Sequence, residues 1–272
     1  GDLQFSLFGR LDAGSLVLGE RAGSAGTFLL DGGDATVHGR VDVGARGIGI
    51  FDCFGDLTVG GDLILGSFVD REDPAIQDRG RGRMVIRGTV TVAGDLWIGL
   101  LGDALLDVTG RSRIEVAGNI DHGPVPYEVV REMTARQNSS FGSWPRLRAD
   151  GDIRLPTLAI VLDPGFIPVP GDEWTIAEAG GQLELGPILL QQLPAPLAWS
   201  LAVDDQRLVL GVTVTSSPGP DVDVDGVVTI TDLLLVLAAW GPSDPAAPCP
   251  ADVDGNGRVD IVDLVSVLAA WS

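Results

Sequence analysis

The sequence predicts a mainly β protein: a right-handed β-solenoid, of the parallel β-helix kind, with an all-β cap and a small α-helical module at its C-terminal end. Three observations predict it. A glycine-punctuated unit of roughly 22 residues recurs along the first part of the chain. Inside each unit, short strings alternate apolar and polar residues, the period of a strand with one buried face. Behind two Asp-rich loops, the last segment changes to the 3.6-residue period of a helix.

The repeat is read from hydrophobic-Gly pairs. Leu18-Gly19 leads through Gly26, Phe28, Gly32-Gly33 and Val37 to Val43-Gly44, and that pair leads through Gly49, Val59 and Gly60-Gly61 to Leu65-Gly66. Ile98-Gly99 opens a third copy that runs through Gly102, Val108, Gly110 and Val116 to Gly118. Gly and Asp take the corners, where the chain needs positive φ or a side chain that bonds its own turn. One coil cannot bury its apolar face alone, and stacking coils closes the core. Coils about 4.8 Å apart make five or six turns a rod about 25–30 Å long. A β-sandwich also has short strands and turns, but a recurring Gly-strand-Gly unit favours the solenoid.

Residues 1–123 are assigned to the repeats, interrupted from Phe68 to Arg83 by a charged stretch around Pro74 that reads as an exposed loop. Residues 124–214 are assigned to an all-β continuation or cap. Within them Tyr127 to Ala135 reads as a short helix or part of the cap, and Asp152 to Leu162 and Glu173 to Ala177 read as strands. Trp199 to Val203 and Arg207 to Val214 form a hairpin around Asp204-Asp205, and residues 215–220 are a linker by composition.

Composition narrows the function classes. The formal charge of −20 comes from an excess of Asp over a positive charge carried by Arg alone. Such a surface repels nucleic acid and anionic membranes, and its carboxylates are hard ligands for divalent cations. A hydrophobic fraction of 45% argues against disorder. No apolar run has membrane-spanning length. The first residue is Gly1 rather than Met, which reads as a processed or trimmed start. Cys53 and Cys249 make no CxxC; in an oxidising compartment they are a possible long-range disulfide, and two free thiols are equally compatible.

Residues 221–272 carry the motif with the most chemistry. Two twelve-residue loops begin at Asp221 and Asp252. The first places Asp221, Asp223, Asp225, Val227, Thr229 and Asp232 at positions 1, 3, 5, 7, 9 and 12; the second places Asp252, Asp254, Asn256, Arg258, Asp260 and Asp263 there. Alternate oxygen side chains, Gly at position 6 (Gly226, Gly257) and a backbone carbonyl at 7 are the calcium-loop chemistry of an EF-hand. Position 9 often acts through water, and the apolar residue at 8 (Val228, Val259) is expected to pair the two loops. Asp rather than Glu at 12 demands a tighter loop. The 31-residue offset between the copies makes a chance match improbable, so Ca2+, two ions, is the expected cofactor. It would take the formal charge from −20 to about −16. After each loop, Leu233, Val236, Leu237 and Trp240, and again Leu264, Val267, Leu268 and Trp271, mark one face of an amphipathic helix, the first ended by Gly241-Pro242.

This tail resembles a type I dockerin, a duplicated loop-helix module. The Ala-Ala-Trp after each helix and Cys249-Pro250-Ala251-Asp252 before the second loop are similar to versions in secreted proteins of planctomycete-like bacteria. The resemblance implies two bound calcium ions and a cohesin-like partner. The family's partner contacts at loop positions 10 and 11 are usually Ser or Thr; here they are Ile230-Thr231 and Ile261-Val262, and a basic pair further along is replaced by Leu237-Ala238 and Leu268-Ala269. The N-terminal part resembles, more loosely, the Gly-rich solenoid repeats of autotransporter-like surface proteins.

No GxSxG, HExxH or phosphate-loop context is present, and His38 and His122 lie far apart with no motif around them. Trp97, Trp144, Trp174 and Trp199 are scattered through strands and read as core rather than a carbohydrate platform. The expectation is a secreted, non-catalytic bacterial surface protein, with partner contacts at Ile230, Thr231, Leu237, Ile261, Val262 and Leu268. The partner is either another copy of the chain, giving a filament or matrix, or a separate cohesin-like receptor. A polysaccharide-acting β-helix enzyme is the lesser alternative.

Overall fold

The computed structural model describes residues 3–67, 80–123, 131–137, 143–164, 166, 168–193, 197–214, 219–223, 227–242, 249–254 and 256–271. The chain divides into two compact units, Gly1–Gln191 with Ser200–Gly211, and Gln192–Trp199 with Val212–Ser272.

The first unit is built from stacked turns of short strands. The first turn holds β1 (Leu3–Ala13) and β2 (Leu16–Leu18), and the second β3 (Ala25–Val37) and β4 (Val41–Val43). The third holds β5 (Ile48–Cys53), β6 (Asp56–Val59) and β7 (Leu63–Leu65); the fourth, β8 (Arg81–Ile86), β9 (Thr89–Val92) and β10 (Leu96–Ile98). The fifth holds β11 (Asp103–Thr109), β12 (Arg113–Val116) and β13 (Ile120–Asp121); the sixth, β14 (Arg131–Arg136), β15 (Arg146–Ala149) and β16 (Ile153–Leu155). β17 (Thr157–Val161), β18 (Glu173–Ala179) and β19 (Leu183–Leu185) make the seventh, and β20 (Ile188–Leu190), β21 (Leu197–Val203) and β22 (Arg207–Val214) follow.

Each strand pairs in parallel with its counterpart one turn on. The first half of β3 pairs with β5 and its second half with β6, so one fifteen-stranded sheet bends through β3 and makes two sides. A seven-stranded sheet running from β2 to β19 makes another, and the result is nearly closed and solenoid-like. Val41 sits beside Leu63, a step of 22 residues. The step grows to 33 between Asp62 and Asp95; of the expected insertion, residues 68–79 lie outside the described residues, and Arg81 to Arg83 belong to β8 rather than to a loop.

The core follows from this register. Leu30, Cys53, Ile86, Val108, Ala135 and Ile160 stack in one buried column, and Phe28, Phe51, Met84, Leu106, Met133 and Leu158 in another. The Phe28 and Phe51 rings meet edge to face, with centroids 5.0 Å apart. The hydrophobic-Gly pairs are corners: Gly19, Gly44, Gly66 and Gly99 all have positive φ. A Cβ at Gly44 would collide with the Arg81 carbonyl one turn on, so the corner needs glycine for space as well as for conformation.

Two expectations are corrected within this unit. Of the stretch Tyr127 to Ala135, residues 131–135 belong to β14, a strand of the sixth turn rather than a helix, and the earlier part lies outside the described residues. Of the four tryptophans read as core, only Trp144 is buried. Trp174 packs on it at 5.8 Å, while Trp97 and Trp199 are half-buried. The predicted hairpin is present: β21 and β22 are neighbours in the large sheet, the Asp204 N–H donates to the Arg207 carbonyl at 3.0 Å across the turn, and the Asp204 carboxylate accepts from the Gln206 and Arg207 N–H groups at 2.9 and 2.6 Å; β22 also runs antiparallel to β18.

The second unit contains α1 (Ile230–Ala238), β23 (Gly241–Pro242), β24 (Arg258–Val259) and α2 (Ile261–Ala269). Its core is Val222, Val236, Ala251, Val253, Val259 and Val267, so each half contributes equivalent valines. No helix among the described residues is long and apolar enough to cross a membrane.

Candidate metal centre

The loops that precede α1 and α2 each gather carboxylates. Asp221, Asp223 and Asp232 bring one oxygen apiece within 4.8 Å of one another, and Asp252, Asp254 and Asp263 do the same. These are positions 1, 3 and 12 of the two predicted loops. Asp225 and Gly226 lie outside the described residues.

The last Asp of each loop is the pivot. Asp232 is fully buried. Its Oδ1 accepts from the N–H groups of Val222 and Asp223 at 2.6 and 3.0 Å, and its Oδ2 from that of Thr229 at 2.7 Å. Burial pushes this carboxyl up, but the N–H groups of Thr229, Asp223 and Val222 outweigh it and hold Asp232 below the ordinary carboxylate range. Asp263 repeats the arrangement, accepting from Asp254 N–H at 3.1 Å and Asp260 N–H at 2.7 Å. A short Asp suffices at position 12 because the loop backbone folds onto it.

Position 9 has a role that sequence reasoning missed. Thr229 and Asp260 are the N-caps of α1 and α2, each closing a reciprocal capping box with the Asp three residues on. The signal was present as Thr-x-x-Asp and Asp-x-x-Asp immediately before an apolar run. In the second loop, Asn256 donates from its backbone to Asp252 and Asp254, and Gly257 N–H donates to Asp252 Oδ2 at 2.9 Å. Gly257, at position 6, has φ +86°, the left-handed turn the loop pattern requires.

Position 8 departs from expectation. Val228 does not pair with Val259; Gly241 pairs with Val259 and Pro242 with Arg258 in a two-stranded antiparallel ladder. The segment after α1, rather than the first loop, supplies the strand, and Val228 packs against the valine core instead. The carbonyls of Val227 and Arg258 remain the position-7 candidates, with Val227 exposed and Arg258 in β24.

The helix faces are also narrower than their periodicity implied. Val236 and Val267 are buried and Leu233 and Leu264 partly so, but Leu237, Trp240, Leu268 and Trp271 are exposed. All six predicted contact positions, Ile230, Thr231, Leu237, Ile261, Val262 and Leu268, lie on the surface. Leu234 and Val265 join them, exposed by 57% and 54%, so both helices present apolar residues to solvent.

Both cysteines are free thiols. Cys53 is buried in the first unit and its Sγ donates to the Gly55 carbonyl at 3.2 Å; burial pushes its pKa up to about 11. His38 is exposed and bonded to Asp12 at 2.9 Å, as expected of a surface residue.

Three clustered carboxylates, one of them buried in the first loop and two in the second, repel one another unless a cation binds between them. Hard oxygen donors and backbone-fixed loops suit calcium. Comparison with known proteins bears on this unit alone. No curated protein and no solved structure matches the chain. The family model of the type I dockerin domain matches residues 220–269, the segment that contains both carboxylate clusters and both helices.

Proposed function

We propose that this chain is a non-catalytic, secreted bacterial protein in which a right-handed β-solenoid body is attached to a cohesin-type partner through its C-terminal calcium-binding module. Type I dockerin domains bind calcium and dock onto cohesins, and dockerin modules occur in extracellular or cell-surface proteins. The observation that carries the reading is the duplication: two carboxylate clusters of matching sequence position, each capping a helix whose outer face is exposed and apolar. One ion per cluster, two in all, is the proposed load. Asp221, Asp223, Asp232, Asp252, Asp254 and Asp263 would hold it, with Asp225, Asn256 and the position-7 carbonyls completing the sets. Bound calcium would neutralise the clustered charge and so fix the helices against each other.

Contact residues Ile230, Ile261 and Val262 in place of hydroxyl side chains point to a partner with an apolar docking surface. The test is surface plasmon resonance of the intact chain over immobilised type I cohesin domains, in calcium and in chelator. Calcium-dependent binding that is lost on Leu237→Asp with Leu268→Asp supports the reading. Absence of binding to any cohesin in calcium contradicts it.

A second reading is self-association through the same helices, favoured by the amount of exposed apolar side chain on a chain otherwise repelled from its copies by a charge of −20. Light scattering separates the two: large species that dissolve on chelation favour a filament or matrix, and a monomer in both conditions eliminates it.

A further inference from the structure

The seven-stranded sheet carries a feature that the attachment role does not use. On its outer surface Val17, Asp42 and Ile64 lie in register in β2, β4 and β7. Asp42 is only 2% exposed, beside Ile64 at 4%. Its Oδ2 accepts from the Ser67 hydroxyl at 3.0 Å and lies 3.5 Å from the Arg40 guanidinium, but its Oδ1 has no hydrogen-bond partner among the described residues. A buried carboxylate oxygen without a donor is costly, and a fold that keeps one has a reason to.

Asp42 lines a cavity of about 600 Å³. Three guanidinium side chains, Arg21, Arg40 and Arg46, share the lining, opposed by Glu20 and Asp42, so the wall carries excess positive charge in a chain of −20. Val17, Ile64 and Leu100 supply aliphatic surface. The walls are pinned by the stacking of one corner on the next. Arg46 N–H donates to the Gly19 carbonyl at 2.9 Å, Ile48 N–H to the Ser24 carbonyl at 2.9 Å, and the Ser24 hydroxyl to the Arg21 carbonyl at 2.6 Å. A Cβ at Gly47 would strike the Ser24 and Arg21 carbonyls, so the two corners approach as closely as backbone allows. The arginines are therefore presented from a preorganised frame.

We propose that this cavity binds a hydroxylated carboxylate of the acidic-sugar class. The guanidiniums would take the carboxylate, in the fork geometry that suits it. The unsatisfied Asp42 Oδ1 calls for a donor on the ligand, which a sugar hydroxyl supplies and a bare phosphate dianion does not. The aliphatic patch would take the C–H face of the ring, and the volume lies in the range of small-ligand sites. Burial also pushes the Asp42 carboxyl above its ordinary range, which lessens the repulsion an incoming anion meets.

The experiment is isothermal titration calorimetry of the intact chain in calcium, with trigalacturonate as probe and neutral maltotriose as control. The expected result is saturable binding of trigalacturonate, weakened about tenfold or more by Arg21→Ala, whose side chain is on the surface, and no binding of maltotriose. Circular dichroism melting of the variant, unchanged from the parent, separates lost contact from lost fold. No heat with trigalacturonate, equal binding of maltotriose, or undiminished binding in a folded Arg21→Ala chain overturns the proposal. None of these outcomes involves the C-terminal unit.

Discussion

Asp62 Oδ1 accepts the backbone N–H of Asp95, the residue at the same corner one turn later, at 2.9 Å. The relation propagates. Asp95 accepts from Asn119 N–H at 2.7 Å, Asn119 from Asp152 N–H at 2.8 Å, and Asp152 from Gln182 N–H at 2.9 Å. The residue before each acceptor's partner is Gly94, Gly118, Gly151 or Gly181, and a Cβ on any of them would collide with the side-chain oxygen from the turn before. Gly-Asp at these corners is thus one device: the Asp satisfies a corner N–H that the strand ladder leaves out, and the Gly makes room for it.

Asp95→Ala should destabilise the first unit by about 1–3 kcal/mol, the cost of leaving a partly buried N–H without its acceptor. Asp95→Asn, which keeps the acceptor oxygen, should recover most of it. Gly118→Ala should cost at least as much, because the new methyl meets both the Asp95 side chain and the Gly94 backbone. Urea unfolding of the three variants checks the order.

The two thiols should differ in reactivity. With its pKa at about 11, Cys53 has about a thousandth of its thiol ionised at pH 8, and it is buried as well. Cys249 is partly exposed. An aromatic disulfide reagent should therefore label one thiol per chain in the native protein and two in denaturant, with Cys249 as the site found by peptide mapping.

The β21–β22 turn should loosen in acid. The N–H groups of Gln206 and Arg207 hold the Asp204 carboxyl below its ordinary 3.8. A depressed folded pKa means that its contribution is present above 3.8 and is lost as pH falls through the lower folded value. Protection of the Gln206 and Arg207 amides, taken as exchange relative to the intrinsic rate at each pH, should fall in that acid window, and Asp204→Asn should remove that fall.

Much of this was legible in the chain itself. The pairs Leu18-Gly19, Val43-Gly44, Leu65-Gly66 and Ile98-Gly99 mark corners because positive φ and backbone contact admit only glycine there. The Asp positions of the calcium loops were legible for a similar reason, since converging carboxylates have few structural uses. What sequence did not reveal depends on partners distant in the chain. Residues 131–135 look helical until β11 and β17 are placed on either side of them. Val259 finds Gly241 rather than Val228 because the chain leaving α1 reaches it as a strand. Leu237 and Trp240 fit a helical core stripe, yet a nine-residue helix against a core of small valines buries only one turn of it.

The capping boxes should couple each helix to its loop. Thr229→Ala should cost about 1 kcal/mol of module stability through the lost N-cap. Asp232→Ala removes a metal ligand candidate, the acceptor of three N–H groups and half of the capping box together, and should leave α1 unformed while α2 keeps its own cluster. Amide exchange resolved by helix distinguishes the two variants.

The most direct test of the account is calcium titration of the intact, chelator-treated chain by calorimetry, with helical signal followed in parallel. Two ions per chain and a gain of helix on binding are expected, with Asp232→Ala reducing the count to one. A chain that takes up no calcium saturably, and whose helices are equally formed in chelator, would contradict it.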